Sequence, residues 1–137
     1  MRYLLDSNVV SQARKQHGSP AVLTWLGSVG AEEVALSVVT LMELEVWVLR
    51  RERREATEGR SWRAWLEKEV AVGLASQIIP VDSRVARGAA TLHVPDPAPD
   101  RDALIAATAL VHDLTVVTRN TRDFERTGVR LLNPWAA

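Results

Sequence analysis

The sequence predicts an α/β fold, a three-layer α/β/α sandwich around a mainly parallel sheet. Three observations point there. Short apolar runs, "RYLL", "VALSV", "QIIPV" and "TVVT", recur along the chain. Helical stretches separate them, and strands alternating with helices favour parallel crossover units. The chain has 137 residues, 47% of them hydrophobic, which is enough for one core and predicts a single domain over 1–137.

The elements follow in order. "RYLL" (2–5) reads as a short buried strand, followed by an amphipathic helix over about 7–16. Ser19-Pro20 supplies an N-cap and a proline at the first helical position of a second helix. "VALSV" (34–38) is the second strand, and Thr40 opens a helix running to about Glu55. "GRSWRAWLEKEVAVGLA" (59–75) continues as another helix. "QIIPV" (77–81) is a third strand, and Asp82-Ser83 caps a helix to about His93. A proline-rich loop, "VPDPAPD" (94–100), leads into a helix over about 101–112. Strand "TVVT" (115–118), a helical turn near 121–127 and "VRLL" (129–132) complete the chain.

Composition narrows the function classes. Lys+Arg and Asp+Glu each number 17, so nucleic-acid binding would have to come from local patches rather than net attraction. No cysteine is present, which removes disulfides, thiolate metal sites and cysteine nucleophiles. No apolar run approaches the roughly 18 residues of a membrane span. The opening "MRYLLDSN" reaches Asp6 too early for the apolar core of a signal peptide, so a cytoplasmic protein is expected. The basic residues are arginines except for Lys15 and Lys68. Arginine suits phosphate contacts, although coding bias produces the same pattern.

The acids carry the chemistry. In a parallel sheet, right-handed crossovers bring strand carboxyl ends and helix amino ends to one edge. Asp6 follows the first strand, and Glu43 lies in the first turn of the helix after the second. Asp102 opens the helix before "TVVT", and Asp123 follows that strand. Each acid also has a purely structural explanation. Helix amino ends attract carboxylates, and "TLME" (40–43) fits a capping box in which Glu43 reaches back to the Thr40 amide. Asp82 is set aside as such a cap. Asp102 fits that explanation least, because its face continues through the small, apolar Ile105, Ala106 and Ala109. Asp100 is the better N-cap candidate, which leaves Asp102 for the cleft.

Carboxylates gathered together repel one another and raise each other's pKa. A hard divalent cation relieves this, since Mg²⁺ and Mn²⁺ favour oxygen ligands. Such a site activates water and stabilises charge on a phosphodiester. Asn8 in "DSN" and Thr118, Arg119 and Asn120 in "TRN" are polar neighbours able to order waters or carboxylates.

The segments "YLLDSNVVS" (3–11), "SVVTLMELE" (37–45), "DALIAATALVHDLTVVTRNTRDF" (102–124) and "GVRLLNPW" (128–135) resemble, in order, those of PIN-domain ribonucleases. The resemblance is to VapC-type toxins of toxin–antitoxin pairs, of the FitB-like kind. It implies Mg²⁺- or Mn²⁺-dependent RNA cleavage leaving a 5′ phosphate and a 3′ hydroxyl. By position, the family's acidic quartet falls on Asp6, Glu43, Asp102 and Asp123. Asp6, Glu43 and Asp102 would be the main metal ligands, with Asp123 acting through a second metal or a water. Asn8, Thr118 and Asn120 would support them, and Asp100 would either supplement the site or cap its helix. The resemblance also implies a homodimer and a small VapB-like antitoxin, joined with it in a larger hetero-oligomer. The antitoxin's apolar segment would cross the helix from Thr40, where Leu44, Trp47 and Val48 form one face with Val46 and Leu49 outside it.

"RRERREATEGRSWRAW" (50–65) is the most basic stretch. Its interleaved glutamates favour a solvated, ion-paired face over an RNA track. Among other enzymes, a receiver-like domain needs a lysine near the acids, where neither Lys15 nor Lys68 falls. An Asp-x-Asp phosphatase needs an aspartate where Asn8 stands. His17, His93 and His112 share no metal-ligand spacing, and His112 suits the carboxyl end of its helix. The remaining alternative is a catalytically inactive PIN-fold binding module that works only through its partner complex.

Overall fold

The computed structural model describes residues 1–14 and 18–136. Five parallel strands form one sheet in the order β3-β2-β1-β4-β5. They are β1 (Tyr3–Leu5), β2 (Val34–Ser37), β3 (Ile78–Ile79), β4 (Thr115–Val117) and β5 (Leu131–Leu132). The predicted strands are present but shorter.

Alternation within the strands builds both cores. Leu5, Leu36 and Val117 face one side of the sheet, and their neighbours Leu4, Ala35 and Val116 face the other. Both faces are apolar, as a covered parallel sheet requires. The first face is covered by α1 (Ser7–Val10), α2 (Pro20–Ser28), α3 (Val38–Arg54) and α4 (Ala56–Trp65), through Val9, Val22, Val48 and Trp62 among others. On the second face lies α6 (Asp100–His112), packed through Ile105, Ala106 and Ala109. Alanines on another side of α6, Ala103 and Ala107, meet Val85 and Ala89 of α5 (Ser83–Thr91). Helix α6 is therefore buried on two sides, and its small side chains let α5 approach closely. The result is the three-layer α/β/α arrangement the sequence predicts.

Several local expectations are corrected. The first helix is one α-turn followed by a 3-10 turn, Ser11–Ala13, and the expected continuation to residue 16 runs outside the described residues, as do Lys15 and His17. Helix α3 begins at Val38, directly after β2, with Ser37 as its N-cap; the Ser37 hydroxyl accepts from the Val39 amide at 3.0 Å. Thr40 is thus already inside the helix and fully buried, and the capping box with Glu43 does not form. Val38, β-branched, reads as the end of the strand, which hides the true start.

Helix α4 begins at Ala56 rather than residue 59, and runs into a wider π-helical stretch, Leu66–Val72. Glu55 makes the whole turn between α3 and α4, its carboxylate accepting from the Thr57 and Glu58 amides. At α6 the N-cap position belongs to Pro99, so Asp100 is not the cap.

The basic stretch is ion-paired, mostly between helices rather than along one. Arg63 of α4 reaches Glu45 and Glu52 of α3 at 2.5 and 2.9 Å, and Glu67 at 3.3 Å. Arg51 meets Glu58 at 2.6 Å and lies 4.2 Å from the Trp47 ring centroid. Among the described residues no helix is long and apolar enough to cross a membrane.

Candidate active site

Chain order reverses on either side of β1: the path leaves it for β2 and β3, then returns to β4 on its other side. Open α/β sheets hold ligands at such a point, outside the strand carboxyl ends. Residues Leu5 and Val117 are register partners. The next residues on the two strands are Asp6 and Thr118, and both are buried.

Asp6 accepts from two donors. Its Oδ1 takes the Ser7 amide at 2.9 Å, and its Oδ2 takes the Thr118 hydroxyl at 2.8 Å. Thr118 Oγ1 in turn accepts from the Asn120 amide at 3.1 Å and from Asn8 Nδ2 at 3.4 Å. Asn8 Oδ1 accepts from the Arg119 amide at 3.3 Å. A short hydrogen-bonded chain therefore ties the loop after β4 to the start of α1 and fixes the Asp6 carboxylate. Asn120 enters this chain through its main-chain N–H.

The other acids come from three further elements. Glu43 lies one turn deeper in α3 than the sequence suggests, and so projects into the cleft instead of capping its helix. Asp102 is half-buried in the first turn of α6, and Asp123 lies in the exposed 3-10 turn Thr121–Thr127. Burial and neighbouring acids raise three of the four. Burial pushes the Glu43 carboxyl up to about 6, aided by Asp6 and Asp102 and opposed by Arg101. Burial also raises Asp102, with the charges of Asp6 and Asp123 adding to it. Asp6 is raised by burial first, held back by its bonds to Thr118 and Ser7, and raised again by Asp123.

Space opens on both sides of these acids. One cleft of about 340 Å³ is lined by Asn8, Glu43, Trp47, Arg50 and Arg101 among others. Another of about 440 Å³ lies under the proline-rich loop and includes Asp102, Asp123 and Arg126. The structure thus gathers Asp6, Glu43, Asp102 and Asp123 with Asn8, Thr118 and Asn120. Asp100 stands apart from them, with its side chain 91% exposed and 3.5 Å from His93 Nε2. Arg101, which the sequence reading passed over, faces Glu43 Oε2 at 3.8 Å. Its signal was a cation between two acids in a first helical turn, where the dipole disfavours it.

The donors are all hard oxygens. Glu43 Oε1 is buried and has no hydrogen-bond partner. Among the described residues no three such side chains close around a single point. Mg²⁺ commonly takes only one or two carboxylates and keeps its waters. An open, oxygen-lined cleft with mutually destabilised carboxylates fits that ion better than a closed cage would.

An all-parallel three-layer domain with carboxylates gathered over its switch point defines an acidic-cleft α/β protein. The chain belongs to the PIN domain family, which matches residues 3–129. It is similar to the VapC ribonuclease Y4jK of Sinorhizobium fredii, 34% identical and covering 96% of both chains. Toxin FitB of Neisseria gonorrhoeae is 36% identical, over 96% of this chain and 97% of its own. Among solved structures, FitAcB from Neisseria gonorrhoeae superposes with a TM-score of 0.90 at 32% identity, covering 98% of this chain and 99% of that one.

Proposed function

We propose that this chain is the toxin of a toxin–antitoxin pair, a Mg²⁺- or Mn²⁺-dependent endoribonuclease. It hydrolyses RNA phosphodiester bonds to leave 5′-phosphate and 3′-hydroxyl ends. The observation that carries the reading is the meeting of four carboxylates from separate elements at the sheet's switch point, where Asp6, Glu43 and Asp102 are raised by burial and further by neighbouring acids. The relatives' names, a VapC ribonuclease and a FitB toxin, support the same activity.

Asp6, Glu43 and Asp102 are the residues that would hold the ion, with Asp123 acting through a water or a second ion. Bound there, a divalent ion lowers the pKa of a water and offsets charge developing on the phosphate. The chain's own residues prepare the place. Thr118 orients Asp6 by donating to Oδ2, and Asn8 and the Asn120 amide hold Thr118. Burial raises the Glu43 carboxyl to about 6, which still leaves it largely ionised at neutral pH and able to bind a cation.

The partner is a small VapB-like antitoxin, and the toxin itself is a cytoplasmic homodimer within a larger hetero-oligomer. A solved FitAB complex bound to DNA, 30% identical to this chain, supports such a partner. Met42 and Leu49 are exposed on α3, and a groove at Met42 is lined also by Val38, Leu41 and Leu66. An apolar antitoxin segment fits there.

The deciding experiment is cleavage of total cellular RNA by antitoxin-free protein in Mg²⁺ or Mn²⁺, with new 5′ ends mapped by sequencing. Discrete cuts that vanish with EDTA and in Asp6→Asn are expected. Cuts that survive Asp6→Asn, or a protein that neither cuts nor binds Mn²⁺, would refute the reading.

A further inference from the structure

Arg101 makes the one ion pair that any of the four cleft acids has among the described residues. The pairing is unusual in its placing. Residue 101 lies in the first turn of α6, where the helix dipole repels a cation, and it is flanked by Asp100 and Asp102. Its contact is loose: Nη1 stands 3.8 Å from Glu43 Oε2, and the side chain is 53% exposed. Only one Glu43 oxygen is covered, while Oε1 stays buried without a partner. A structural tie between α3 and α6 would gain more from a bidentate fork, which arginine forms readily with carboxylates. The observed contact offsets part of the Glu43 charge and leaves Oε1 unpaired.

We propose that Arg101 is the resident counter-ion of Glu43 in the metal-free protein, displaced when a divalent cation binds and then turned to the substrate phosphate. This rests on the metal-ribonuclease reading above. Charge explains the exchange. A divalent ion on Glu43 and Asp102 repels the guanidinium, which is long and exposed enough to swing into the cleft it already lines with Arg50 and Asn8. There its planar N–H edges suit a phosphate better than a lysine would.

The test compares wild type, Arg101→Gln, Arg101→Lys and Arg50→Gln as full-length, antitoxin-free proteins. Mn²⁺ affinity is measured by calorimetry, and RNA cleavage is measured at saturating Mn²⁺. Arg101→Gln should bind Mn²⁺ about two- to fivefold more tightly, the scale of an exposed ion pair. It should also raise KM for RNA several-fold while changing kcat less. Arg101→Lys should keep the wild-type Mn²⁺ affinity, because the charge remains. Arg50→Gln removes the same charge from the same cleft without touching Glu43, and should leave Mn²⁺ affinity near wild type. An unchanged or weaker Mn²⁺ affinity in Arg101→Gln, or an equal gain in Arg50→Gln, would overturn the counter-ion role alone. Wild type that neither binds Mn²⁺ nor cleaves RNA would overturn the parent reading, and this one with it.

Discussion

The Thr118 hydroxyl donates to Asp6 Oδ2 at 2.8 Å, joining the first residues beyond two neighbouring parallel strands. Thr118 is fully buried, so this bond is shielded from water and orients the carboxylate at the centre of the cleft. Thr118→Val keeps the shape and removes the donor. The variant should lose about 1–3 kcal/mol of stability in denaturant unfolding, because a buried carboxylate oxygen is left unsatisfied. RNA cleavage should fall roughly 10–100-fold, the usual range for partners of metal ligands, and Thr118→Ser should restore most of both.

Asp102→Asn separates a ligand from a helix cap. Asp102 is raised by burial and by the charges of Asp6 and Asp123, so neutralising it relieves repulsion. The metal-free protein should melt about 1–3 °C higher, and the stabilisation by Mn²⁺ seen in wild type should disappear. A slightly lower Tm with the Mn²⁺ response intact would mean that the carboxylate serves only the helix dipole.

Stability of the metal-free protein should rise on mild acidification. Glu43 is raised from 4.5 to about 6, so the folded state binds its proton more tightly than the unfolded chain does. The unfavourable burial of its charge is fully present above pH 6 and fades as pH falls through 6 towards 4.5. The gain over that window should be about 1 kcal/mol, allowing for solvent screening in an open cleft. Asp6 and Asp102 are raised too and act in the same direction. Glu52 and Glu55 are lowered and oppose it at more acidic pH. Urea unfolding at several pH values in EDTA measures the slope, and Glu43→Gln should flatten it.

Gly59 of α4 lies directly against Glu52 of α3. A Cβ there would run into the Glu52 backbone, 2.8 Å from its nitrogen. Gly59→Ala should therefore cost about 1–3 kcal/mol despite alanine's better helix propensity. Because the crossing also carries the Arg51–Glu58 and Arg63–Glu52 pairs, unfolding of the α3–α4 hairpin should show as faster amide exchange there.

The sequence by itself determined the layered parallel fold and the approximate strands, and it pointed to four acids at one edge of the sheet. Those features rest on alternation, on helix-length spacing and on ordered motifs, all of which are local in the chain. Only the tertiary structure decided what the acids are partnered with. Thr40 and Glu43 look like a capping box until β2 is seen to end at Ser37, whose hydroxyl caps α3 three residues earlier. Asp100 looks like a cap until Pro99 takes that position and the carboxylate turns to His93. The partnership of Thr118 with Asp6 spans 112 residues, and that of Arg101 with Glu43 joins two helices on opposite faces of the sheet. Sheet order created both, because placing β4 beside β1 brings the two ends of the chain to one edge. Local pattern reports which residues can ionise, whereas burial and neighbouring charge, which set how they ionise, exist only once the strands have paired.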